Sequence, residues 1–90
     1  MSDTRIRDAE AQPPWHPLDA RHLLCPLPVI RLQRLMRTLP EGSRVEVAAT
    51  DPGVMHDIPA WCRVHGHRVL EARQDGIEYR VMVEAGRPPD

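Results

Sequence analysis

The sequence predicts an α/β (α+β) two-layer sandwich of order β-α-β-α-β-β, a four-stranded mixed sheet with two helices on one face. Three observations lead there. Two segments carry one apolar stripe at helical spacing, two others alternate apolar and polar residues, and an Asp75-Gly76 step separates two β-prone runs. Helices with a single apolar face and strands buried on one side pack most economically as one sheet under one helical layer.

Taken in order, residues 1–17 are polar, charged and proline-bearing, with Trp15 as their one aromatic group, and read as a flexible segment. The folded domain is expected over 18–84. A first strand is placed at 18–24, bounded by Pro17 and the Cys25-Pro26 step. A first helix spans 26–38, with Val29, Leu32, Leu35, Met36 and Leu39 on its core stripe. Leu27 and Ile30 fall off that stripe, together with Arg31, Gln33, Arg34, Arg37 and Thr38. Pro40-Glu41-Gly42 stops the helix.

Residues 44–50 alternate, with Val45, Val47 and Ala49 on one face. Asp51 is an N-cap candidate and Pro52 suits the first helical position behind it. On this second helix Val54, Met55, Ile58, Trp61, Cys62 and His65 share a face, and Gly66 is a C-cap. Pro59 should kink or split it after Asp57 or Ile58. Residues 67–73 and 77–84 form a hairpin about 74–76, with Ile77, Tyr79, Val81 and Val83 facing one way. Residues 85–90 read as a loose tail.

Ninety residues make one small domain with a thin core. A net charge of −1 provides no global field for nucleic acid or membrane. The 12 basic residues are all arginine, which excludes Schiff-base and lysine general-base chemistry. No apolar run approaches the ~20 residues that cross a bilayer. The N-terminus lacks an apolar signal core, so a soluble cytoplasmic protein without a membrane partner is expected. Two cysteines in such a setting do not make a disulfide framework.

The sharpest feature is Cys25-Pro26-Leu27-Pro28. A proline in the first turn costs little, because the N–H it lacks has no partner there. Pro26 and Pro28 therefore mark the helix start and place Cys25 at the N-cap or one residue outside it. The positive end of the helix and nearby Arg21 are expected to lower the thiol below its usual value of ~8.5, making Cys25 a nucleophile. Cys62, on the apolar helix face, reads as core rather than as a resolving cysteine. Cys62, His65 and His67 are close in sequence, but there is no Cys-x-x-Cys and the helix and strand would carry them apart, so no metal is expected. No carboxylate pair and no phosphate loop stands out, and no cofactor is expected. Arg21, Arg31, Arg34 and Arg37 form either a basic rim near the thiol or a solvated helix face.

With that element order and the Cys-Pro-Leu-Pro motif, the chain resembles the TusA/SirA-like sulfur-carrier family. Leu18-Asp19-Ala20-Arg21 leading into Cys25-Pro26-x-Pro28 carries the resemblance. So do Asp51-Pro52, Asp57-Ile58-Pro59 continuing to Cys62, and the Asp75-Gly76 turn before Tyr79. The resemblance implies a persulfide on Cys25, taken from a donor such as a cysteine desulfurase or rhodanese-like protein and passed to an acceptor protein. It implies destinations in tRNA 2-thiouridine formation, molybdenum-cofactor supply or sulfur oxidation, and a relay rather than a stand-alone enzyme. His22 stands where the family usually has glycine, and Leu24 where it often has a polar or basic residue. Leu27 and Ile30, if exposed rather than covered by a loop or by Trp15, would form with Arg31 and Arg34 a docking surface beside the thiol. The alternative is an RNA-binding or regulatory module using the same fold without thiol chemistry. An aromatic content of 3% and the near-neutral charge argue against direct nucleic-acid binding.

Overall fold

The computed structural model describes residues 15–86. Six elements follow in the expected order: β1 (Trp15–Ala20), α1 (Leu27–Met36), β2 (Arg44–Ala49), α2 (Val54–His65), β3 (Arg68–Asp75) and β4 (Glu78–Glu84). The strands form one mixed sheet in the order β1-β2-β4-β3. β1 and β2 are parallel, as a helical crossover requires, and the other two pairings are antiparallel.

Alternation decides which face is covered. Val45, Val47 and Ala49 of β2 are fully buried, as are Val81 and Val83 of β4, and Ala20 of β1 joins them. Against them pack Leu32 and Met36 of α1 and Val54, Ile58 and Cys62 of α2. Burying a side chain such as Ile58 or Leu32 contributes roughly 1.5–3 kcal/mol. On the open face, cross-strand charges replace apolar groups. Arg80 bridges Glu46 and Glu78 at 2.9 Å each, and Arg44 meets its register partner Glu84 at 3.4 Å.

The elements differ from the sequence-based expectation at several edges. β1 starts at Trp15 and ends at Ala20, not at 18–24, so residues 15–17 belong to the sheet rather than to a flexible segment. Parallel pairing to β2, from Trp15 opposite Arg44 to Ala20 opposite Ala49, overrides the polar look of this stretch. The remainder of the expected N-terminal segment, 1–14, lies outside the described residues. α1 closes two residues early because the Thr38 hydroxyl and N–H both turn back to the Leu35 carbonyl. α2 begins after Gly53 rather than at Pro52, and Asp51 caps the preceding turn by accepting the Gly53 N–H at 2.9 Å.

Pro59 does not split α2, which runs through it from Val54 to His65. A proline removes one helical hydrogen bond. Here Ile58 and Cys62, on either side of it, are both anchored in the core. Gly66 caps the helix in the left-handed region at φ +79°, as expected. In the hairpin, β3 extends to Asp75, and Ile77 sits in the turn with 80% exposure instead of joining the core face. The expected tail starts too early as well. Ala85 is buried, its N–H and carbonyl bond Ser43 and Gly42, and the Gly86 N–H donates to His67 Nδ1. Residues 87–90 lie outside the described residues.

Candidate functional site at Cys25

Ala20 and Ala49 are register partners, so the loops after β1 and β2 leave the sheet side by side at the same edge. The first loop carries Cys25, and the second carries Thr50 and Asp51. The two are stitched together: the His22 N–H donates to Thr50 Oγ1 at 2.8 Å, and the Cys25 N–H donates to Asp51 Oδ2 at 2.8 Å. His22 has φ +68°, the left-handed region that favours glycine, which explains the glycine the resemblance implies there. Cys25 precedes the N-cap Pro26 and is exposed, so it lies one residue outside the cap. The Cys25–Pro26 peptide is cis.

The thiol faces a carboxylate. Cys25 Sγ donates to Asp57 Oδ2, on the first turn of α2. This bond, desolvation, and the charges of Asp57 and Asp51 together raise the thiol above its usual value. The expectation of a lowered thiol is therefore overturned, for two physical reasons. Pro26 and Pro28 carry no N–H, and the Leu27 N–H is spent on the Leu24 carbonyl at 2.9 Å, which leaves the helix end poor in donors. Arg21, expected beside the thiol, instead pairs with Asp19 at 2.9 Å and Glu78 at 3.4 Å. That pairing holds the Asp19 carboxyl down at about 2. Asp51 is also lowered, by accepting the backbone N–H groups of Gly53 and Cys25.

Beside these carboxylates, the chain on either side of Cys25 exposes apolar side chains. Leu24 is 73% exposed, Leu27 46% and Ile30 36%. The Leu27 N–H bond to Leu24 and the three-residue spacing of Leu27 and Ile30 place them on one side of the helix start. Arg31 and Arg34 follow at the next helical positions, exposed and without an ion pair to a described residue. Pro28, by contrast, is buried under the turn it starts. Trp15 does not cover the patch. It begins β1, about 17 Å of strand away from Ala20, and its ring lies 5.7 Å from the Arg44 guanidinium carbon.

Sequence reading missed Asp51 and Asp57 as site residues, although both stood in recognised motifs. The signal was available in the parallel crossover, which brings the residue after β2 next to the residue after β1. Cys62 lies in the core, and burial pushes its thiol up to about 11. His65 and His67 pack on Trp61, with ring centroids 5.1 and 4.9 Å away, so neither converges with Cys62. Among the described residues no three His, Cys, Asp or Glu side chains come together as metal ligands. A cavity of about 440 Å³ lies at the far end of the helices, lined by Met36, Arg37, Glu41, Trp61, His65 and His67. It does not include Cys25. No described helix is long and apolar enough to cross a membrane.

Fold and site together define a class: a two-layer α+β domain presenting one exposed cysteine at the start of its first helix. The model of the family described as sulfurtransferase TusA matches residues 16–85, and the chain belongs to this family. It is similar to YrkI of Bacillus subtilis (strain 168), a protein named provisionally as a sulfur carrier. The two are 38% identical over 69 residues, covering 77% of this chain and 92% of YrkI. The crystal structure of a SirA-like protein from Desulfitobacterium hafniense has the same fold, with a TM-score of 0.69 at 26% identity. That match covers 79% of this chain and 97% of the other.

Proposed function

We propose that the protein is a sulfur carrier, which accepts sulfur as a persulfide on Cys25 and relays it to an acceptor protein. The observation that carries this reading is an exposed thiol set among exposed Leu24, Leu27 and Ile30. A relay needs both parts: a nucleophilic sulfur that a partner can reach, and an apolar surface that excludes water while sulfur passes between proteins. Membership of the TusA family supports it.

In this reading Cys25 attacks the outer sulfur of a donor persulfide and keeps it as Cys25–S–SH or its anion. The donor is a cysteine desulfurase or rhodanese-like protein, and the destination is tRNA thiolation, molybdenum-cofactor supply or sulfur oxidation. A cytoplasmic setting, where thiols stay reduced, suits the chemistry. No metal or cofactor is needed, and the chain turns over nothing alone. Leu27, Ile30, Arg31 and Arg34 form the docking surface, with Arg21, held by Asp19 and Glu78, at its rim.

The test is intact mass and peptide mapping after incubation with a cysteine desulfurase and cysteine. Cys25 is expected to gain one sulfur atom, and Cys25→Ser none. Sulfur found on Cys62 would overturn the assignment.

A further inference from the structure

We infer that Asp57 is the proton acceptor for Cys25 and takes the Sγ proton as the sulfur attacks. The inference rests on the carrier reading for its natural substrate, but the proton transfer itself does not. Three features of the site point to it. First, Asp57 Oδ2 is the group to which Sγ donates. Second, both partners are fixed in place. The Cys25 backbone is tied to Asp51, and Asp57 neighbours Ile58, which is fully buried in the core. Third, the surroundings give the thiolate little other support. Asp57 and Asp51 both raise the thiol by their negative charge, while Arg21 is paired with Asp19 and Glu78. An attack on sulfur must release the thiol proton, and the adjacent carboxylate receives it without a cation or a solvent hydroxide.

The step balances. The Cys25 Sγ–H proton moves to Asp57 Oδ2 as Sγ forms a bond to the outer sulfur of a donor persulfide, R–S–SH. The donor S–S bond breaks and its electron pair leaves on the inner sulfur as a thiolate. The Asp57 proton then passes to that thiolate, giving R–SH, Cys25–S–SH and the Asp57 carboxylate again. The exchange is redox-neutral overall: the Cys25 sulfur rises from the thiol to the persulfide level as the donor's inner sulfur returns to the thiol level, and no other oxidant is required.

The experiment compares full-length wild type, Asp57→Asn and Asp57→Glu in two reactions, each followed on the Cys25 peptide. One is alkylation by iodoacetamide and the other is sulfur acceptance from glutathione persulfide. Between about pH 6 and 8 the wild-type alkylation rate should change less than about threefold, because the proton passes to Asp57 as the sulfur attacks instead of being lost beforehand to solvent. The Asp57→Asn rate should fall about tenfold for each unit by which the pH is lowered, following the thiolate fraction. Asp57→Glu should restore the shallow profile, a readout that a purely structural role would not move. If Asp57→Asn keeps the wild-type profile, or if wild type itself falls tenfold per unit, the inference is wrong. Should Asp57→Asn fail to fold, as judged by circular dichroism, the wild-type and Asp57→Glu slopes decide it. A wild-type protein with a shallow alkylation profile that accepts no sulfur would support Asp57 as proton acceptor and remove the carrier reading.

Discussion

His22 shows how one residue sets the conformation of the thiol loop and also lowers stability. Its φ of +68° directs its N–H onto Thr50 Oγ1, one of the two bonds that hold the Cys25 loop against the Asp51 loop. A side chain in that region costs roughly 1–2 kcal/mol, and glycine gives back about half of the gain through its freer unfolded chain. His22→Gly is therefore expected to stabilise the protein by up to about 1 kcal/mol. Urea unfolding would show this as a higher midpoint at unchanged slope. A lower midpoint would mean that the imidazole makes contacts worth more than the backbone strain.

At the scale of the element, α1 has one face for the core and its first turn for a partner. Leu32 and Met36 are buried, whereas Leu27 and Ile30 face solvent beside the thiol. Replacing Ile30 by glutamate should cost at most about 0.5 kcal/mol of stability, as exposed substitutions do. If a partner docks there, the new charge must be desolvated in an apolar contact, and sulfur acceptance from a donor protein should slow several-fold or more. Iodoacetamide, which needs no docking surface, should alkylate Cys25 at nearly the wild-type rate. An unfolded Ile30→Glu would place the residue in the core, and normal transfer would place the docking surface elsewhere.

Across the whole molecule, the end remote from Cys25 is closed by a histidine. His67 Nδ1 accepts the Gly86 N–H at 3.0 Å, which ties the end of the described chain to the start of β3. Burial, with His65 nearby, holds His67 below its ordinary 6.5. The unfolded chain thus takes up the proton more readily than the folded one. Stability from this group is fully present above 6.5 and is lost as pH falls from there through the lower folded value. The melting temperature should drop between about pH 7 and pH 5. The slope should flatten in His67→Asn, whose side-chain carbonyl can accept the same N–H but does not titrate. Further acid adds the loss from Asp19, Asp51 and Glu78, whose lowered carboxyls contribute stability only while ionised.

Local pattern alone determined the order of the six elements, the buried faces of β2 and β4, the Gly66 cap, and the place of Cys25 before α1. Each follows from periodicity or from a backbone rule acting within a few residues. Tertiary structure decided the rest. Trp15 is in a strand because β2 supplies its hydrogen-bond partners, and α2 continues through Pro59 because Ile58 and Cys62 are anchored in the core. The state of the thiol was likewise beyond local reading. A helix start suggests a thiolate, but Asp57 lies 32 residues further on and reaches Sγ only because parallel pairing brings the β1 and β2 loops together. The field at one sulfur atom is a sum over neighbours in space, and that sum is fixed only once the sheet has assembled.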